Sequence, residues 1–209
     1  MKCLHPARRI HLIRHGETNW NKEKRAQGQM ESVLTDEGIA QAKALGAALK
    51  NSGISRVYCS SSVRTRQTAD ILFGGLSIPV IYSDQLREIH MGSWEGKLYS
   101  ELQATHPAQF NAFWNQPDAF DLPGAETFLD VQKRAVQQLE FILNDSQAED
   151  IAIVSHGVLI KTLLCDTENR ALGSLWQAPA MHNCARSIIV INEDGSRQIS
   201  LYSDQPYHS

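Results

Sequence analysis

The sequence predicts an α/β protein: a three-layer α/β/α sandwich with a mostly parallel central sheet, a terminal antiparallel hairpin and a small helical insertion. Three observations carry this. Short apolar, partly β-branched runs alternate with stretches whose apolar residues recur at helical spacing. One run, residues 151–155 (I-A-I-V-S), is apolar almost without interruption, as a parallel strand covered on both faces must be. Near the end, residues 187–192 and 197–202 flank Glu193-Asp194-Gly195-Ser196, a hairpin signature. The 209 residues suit one domain, 1–209, with a single core.

The elements follow in order. Ile10, Leu12 and Ile13 form a buried strand that runs into Arg14-His15-Gly16. Residues 22–33 are polar and charged and read as a loop. Thr35 is a good N-cap, Asp36 and Glu37 suit the positive end of a helix dipole, and Ile39, Ala42, Leu45 and Leu49 make its apolar stripe. Residues 56–59 (R-V-Y-C) are a second strand, followed by serines that suit a turn and by a helix to Phe73. Residues 79–82 are a third strand, placed near an edge by Pro79. A dense polar loop, 83–96, precedes two helical pieces at 98–105 and 107–115. These belong to an insertion at about 97–124, expected to form a small helical cap. A long helix over 127–145 carries Phe128, Val131, Ala135, Leu139, Ile142 and Leu143 on one face. The I-A-I-V-S strand ends in His156-Gly157, with a helix from about Leu159. Residues 169–176 read as a further short helix, and the tail from Ser203 reads as loose.

Composition removes several function classes. A net charge of -3 does not suit a nucleic-acid surface, which needs a basic excess. No stretch approaches the ~20 apolar residues of a membrane span. There is no apolar leader segment before the first strand, so the expected setting is cytoplasmic. Cys3, Cys59, Cys165 and Cys184 are scattered and form no C-x-x-C pair, so they read as reduced, packed thiols. The histidines make neither H-x-H nor H-E-x-x-H, so no metal and no cofactor are called for.

The unusual polar residues fall at strand ends. Arg14, His15 and Gly16 follow the first strand, Arg64 the second, Glu88 the third, and His156 and Gly157 the I-A-I-V-S strand. In an open parallel sheet these positions share one carboxyl edge, where ligands bind. Together they suit a phosphomonoester, which carries about two negative charges near neutral pH. Arg14 and Arg64 can neutralise it with forked hydrogen bonds. A neutral His15 can attack phosphorus, His156 can donate to a non-bridging oxygen, and Glu88 can exchange a proton with the leaving oxygen and then with water.

The chain resembles the histidine phosphatase superfamily, in the branch that contains cofactor-dependent phosphoglycerate mutases. The resemblance rests on R-H-G-E-T-N-W-N at 14–21, V-R-T-R-Q-T-A at 63–69, L-R-E-I-H-M-G-S-W-E-G at 86–96, V-S-H-G at 154–157 and the weaker G-A-E-T at 124–127, in the family's order. It implies that His15 is the phosphorylated nucleophile and Glu88 the proton donor. It also implies that Arg14, Arg64 and His156 bind the phosphoryl group, with Asn21, Gln27, Gly28 and Gly157 as further binding positions. Arg66 reads equally as a site residue or a surface charge. Cys59-Ser60-Ser61 departs from the Ser-Ser-Pro or Ser-Ser-Asp of many relatives, a difference expected to alter loop stiffness rather than chemistry, and Glu31 stands where an Asp is common; neither is expected to touch the five core residues.

The expected activity is hydrolysis of a small phosphorylated metabolite. Mutase-type phosphoryl transfer is the alternative, and a non-catalytic phospho-ligand module the second. Phe110, Phe113, Trp114, Phe120 and Trp94 are equally pocket or core. The terminal hairpin offers an edge for a homodimer.

Overall fold

The computed structural model describes residues 7–207; Cys3, His5 and His208 lie outside them. Strand β1 is Arg8–Arg14, and the short helix α1 is Asn19–Glu23. Helix α2 is Asp36–Leu49, strand β2 Arg56–Ser60, helix α3 Val63–Phe73 and strand β3 Val80–Ser83. The insertion supplies α4, Tyr99–Thr105, and α5, Pro107–Asn115. Helix α6 is Phe128–Asp145, strand β4 Asp150–Ser155 and helix α7 Gly157–Thr167. Strands β5, Arg186–Ile191, β6, Arg197–Tyr202, and β7, Gln205–Pro206, close the chain.

The sheet runs β3-β2-β4-β1-β5-β6-β7. The first four strands are parallel and the last three antiparallel. Side chains on a strand alternate between faces, and the core follows. Ile10, Leu12, Ile151 and Ile153 pack on one side with residues of α6, α7 and the insertion. Ile13, Ala152 and Val154 pack on the other with Leu49 of α2 and Ala69, Leu72 and Phe73 of α3. Each large apolar side chain so buried contributes about 1.5–3 kcal/mol.

Several expectations need correction. The first two residues of the segment expected as loop, Lys22 and Glu23, instead finish α1, whose first turn is held by a reciprocal capping box of the Thr18 and Asn21 side chains. Helix α7 begins at Gly157, not near Leu159. The helix expected over 169–176 is only a 3-10 turn, Leu172–Ser174. The chain reverses at the end of α7: Asn169 is left-handed (φ 52), its N–H bonds the Asp166 carbonyl, and the Arg170 N–H bonds the Cys165 carbonyl. That pair of bonds terminates a helix rather than extending it. The tail is not loose up to Tyr207. Ser203 is buried, and β7 pairs with β6. Ile39 and Leu45 are only half-buried in α2, whose inner face is Gly38, Ala42 and Leu49.

Candidate active site

Strand register brings the two key histidines together. Arg14 on β1 lies beside Ser155 on β4, and the His15 N–H donates to the Ser155 carbonyl at 3.0 Å. The residues that follow, His15 and His156, therefore sit side by side, ring centroids 5.3 Å apart. Strand β2 ends on the far side of β4, so Ser60 arrives next to them. Its hydroxyl is 2.8 Å from His156 Nε2. Ser60 belongs to a departure expected to matter only for stiffness; here it touches the second histidine directly.

A cavity of about 290 Å³ opens at this edge. Arg14, His15, Asn21, Gln27, Gly28, Arg64, Glu88 and Gly157 all line it. His156 lies just behind the lining, fully buried. Arg66 is elsewhere: it is exposed, with its guanidinium 4.5 Å over the Tyr82 ring, so it is a surface charge.

The hydrogen bonds define roles. His15 Nδ1 donates to the Gly16 carbonyl at 2.8 Å, a tautomer inferred from the partner, which must receive a hydrogen. Nε2 then carries the free lone pair. Burial, with Arg64 and Arg14 close by, holds His15 well below the ordinary imidazole pKa. His156 is depressed in the same way by burial and by Arg64 and His15. Both rings are neutral. His156 Nδ1 has no protein partner; we assign the hydrogen to it, the tautomer in which Nε2 accepts from Ser60 at 2.8 Å rather than Ser60 from Nε2.

Arg64 sits in the first turn of α3. Its two terminal nitrogens donate to the Met30 and Gly28 carbonyls at 2.9 and 2.7 Å. Arg14 donates to the Met181 carbonyl at 2.6 Å. Each guanidinium keeps one buried donor, Nε, without a protein partner. Buried donors are rarely left unmade, and both arginines line the cavity, where an oxyanion could meet them.

Glu88 reaches the start of α7. Its carboxylate accepts from the Val158 and Leu159 N–H groups at 3.1 and 3.3 Å, and from its neighbour Ile89 at 3.0 Å. Arg134 on α6 fixes this loop: it donates to the carbonyls of Gln85, Arg87 and Glu88 while its guanidinium pairs with Glu126. The Asn21 and Gln27 side-chain oxygens are occupied by Thr18, Asn183 and Ser32, so each amide turns its hydrogens outward. Of the aromatics, Phe113 and Trp114 line the cavity, with Tyr99 and Trp176, which were not singled out. Trp94 and Phe120 are core; Phe110 packs against that core.

Glycines permit the tight loop. Gly16 and Gly38 face each other so closely that a Cβ on Gly16 would lie 2.6 Å from the Gly38 carbonyl oxygen. A Cβ on Gly38 would collide with the Glu17 carbonyl. Gly38→Ala is expected to cost about 1–3 kcal/mol, as overpacking does, and to lower turnover by displacing His15. Thermal melting and phosphatase assays check this; an unchanged melt with unchanged turnover would show that the loop yields freely.

The neutral rings also set acid stability. In the unfolded chain they protonate below about pH 6.5, so there the unfolded state binds more protons. Their contribution to stability is complete above that pH and is lost as pH falls below it. The denaturation midpoint is expected to drop between pH 7 and 5, with a shallower drop in His15→Ala.

Comparison with known proteins agrees with this geometry. The profile of the histidine phosphatase superfamily (branch 1) matches residues 10–205. A probable phosphoglycerate mutase GpmB of Erwinia tasmaniensis is 34% identical over 159 residues, 74% of each chain. The solved Bacillus stearothermophilus YhfR superposes with a TM-score of 0.91 at 37% identity, covering 94% of this chain and 97% of the other. An Entamoeba histolytica phosphoserine phosphatase, solved as a mutant with phosphoserine, has a TM-score of 0.81 at 25% identity over 93% and 96% of the two chains.

Proposed function

The chain belongs to the histidine phosphatase superfamily, and on that premise we propose that it hydrolyses a small phosphomonoester through a phosphohistidine on His15. One observation carries the reading. His15 presents an unprotonated Nε2 to a cavity that Arg14 and Arg64 also line, the His156 ring lies 5.3 Å from the His15 ring, and Arg14 Nε, Arg64 Nε and His156 Nδ1 are buried without a protein partner.

The Nε2 lone pair attacks phosphorus in line, and the bond from phosphorus to the leaving oxygen breaks. Glu88, entering the cycle as the carboxylic acid, supplies that oxygen with its proton and becomes the carboxylate. The new ring cation keeps its Nδ1 hydrogen on the Gly16 carbonyl. The two guanidiniums and His156 Nδ1–H stabilise the charge on the equatorial oxygens. Glu88 then takes a proton from water, whose oxygen displaces the imidazole, releasing orthophosphate and restoring His15. Asn21, Gln27 and Gly157 add donors around the phosphoryl group.

Hydrolysis is favoured over transfer because water must reach the phosphoenzyme. The residues about 97–124, which we take as the cap of a single domain 1–209, are a short cover of two helices. The likeness to a phosphoserine phosphatase supports the same reading, and the name phosphoglycerate mutase on the GpmB relative supports transfer as the alternative. Protein incubated with para-nitrophenyl phosphate should release phosphate. Rapid isomerisation of 3-phosphoglycerate with a bisphosphoglycerate primer, and negligible phosphate release, would reverse the choice.

The proposed setting is the cytoplasm, which suits the free, buried Cys59, Cys165 and Cys184; among the described residues no helix is long and apolar enough to cross a membrane. A homodimer through the terminal hairpin would have to pair along β7, a two-residue edge containing Pro206.

A further inference from the structure

Helix α7 carries a single basic residue, Lys161, set in the run V-L-I-K-T-L-L one turn beyond Gly157. It is buried, with an exposure of 3%. No carboxylate lies within ion-pair distance of it among the described residues. Its ammonium instead donates to three backbone carbonyls, Leu175 at 3.0 Å and Gln177 and Pro179 at 3.2 Å each. These are alternate residues of one irregular segment, so the strap 175–181 is wrapped around a single cation. Burial and the nearby Arg170 pull Lys161 down to about 8, which still leaves it mostly charged at neutral pH.

The strap continues straight into the site. Ser203 holds the Ala180 carbonyl, and the next carbonyl, Met181, receives Arg14. At its other end Trp176 donates to the Phe113 carbonyl and lines the cavity beside Trp114.

We infer that Lys161 is a positioning residue: it fixes the strap 175–181 and, through the Met181 carbonyl, the aim of the Arg14 guanidinium at the phosphoryl group. The inference rests on the phosphatase reading for its kinetic consequence, but not for its geometric one. A neutral side chain of similar length leaves three carbonyls without a common donor, so the strap can shift. A displacement of about 1 Å in a phosphate-orienting group is enough to cost on the order of 100-fold in rate.

The test uses Lys161→Met in the full chain with para-nitrophenyl phosphate. Both a higher KM and a lower kcat per folded molecule are expected, with kcat/KM down by about 100-fold. The Arg14 side-chain NMR signals, identified by their loss in Arg14→Lys, should show faster guanidinium rotation. That second readout needs no turnover, so an inactive wild type with a released Arg14 would remove the phosphatase reading and leave this one. Lys161→Ala refolded in propylammonium, which restores the missing atoms, should recover activity saturably; propanol should not. Wild-type kcat and KM in Lys161→Met, or unchanged Arg14 signals, or equal effects of the amine and the alcohol, would overturn the proposal.

Discussion

His15→Ala protein is expected to hydrolyse para-nitrophenyl phosphate at least about 10,000-fold more slowly than wild type, in line with removal of a covalent nucleophile. No other side chain can replace it. His156 is the nearest ring, but its Nε2 is held by Ser60 and it lies behind the cavity lining. The variant should keep its fold by circular dichroism and still bind orthophosphate, because the Arg14 and Arg64 donors remain. Wild-type protein quenched during turnover should carry a phosphoryl group that is labile to acid and stable to base, as a bond from phosphorus to imidazole nitrogen is. The variant should carry none. Retained turnover, or a label in the variant, would remove His15 from the chemistry.

The second large effect is expected for Glu88→Gln, and its size should depend on the substrate. A positioned general acid contributes roughly 100- to 10,000-fold. An alkyl phosphate has a poor leaving oxygen and should lose all of it. Nitrophenolate leaves without help, so para-nitrophenyl phosphate should lose much less in its first step. Equal losses for both substrates would mean that Glu88 orients rather than protonates. Stability should fall as well. Both carboxylate oxygens accept backbone N–H groups, of Val158, Leu159 and Ile89. An amide turns a donor toward one of them, and an unmet buried donor costs about 1–3 kcal/mol.

Much of this site is legible before any coordinates, for a physical reason. Parallel strands send their carboxyl ends to one edge, so Arg14, His15, Arg64, Glu88, His156 and Gly157 could be gathered from strand ends alone. What stays hidden is whatever depends on irregular segments meeting. Ser60 looks like turn filler until the register of β2 against β4 sets it on His156. Arg134 looks like a surface charge on an amphipathic helix, yet it binds the three carbonyls that shape the Glu88 loop. Tyr99 and Trp176 reach the cavity from segments 77 residues apart, and periodicity does not record such meetings. Lys161 did leave a trace, a lone cation in V-L-I-K-T-L-L. The failed helix at 169–176 failed at Asn169, whose left-handed backbone outweighs the apolar spacing that follows.

The place of β1 in the sheet has a consequence for the order of assembly. The strand that leads to His15, β1 at Arg8–Arg14, precedes every other strand of the sheet in sequence, yet it lies between β4, Asp150–Ser155, and β5, Arg186–Ile191. Such pairings across the length of a polypeptide carry a large loop-closure cost and form late. A growing chain on the ribosome therefore holds His15 without a companion ring or paired strands beside it until β4 and β5 have emerged. The site is therefore expected to assemble only when β4 and β5 clasp β1 between them.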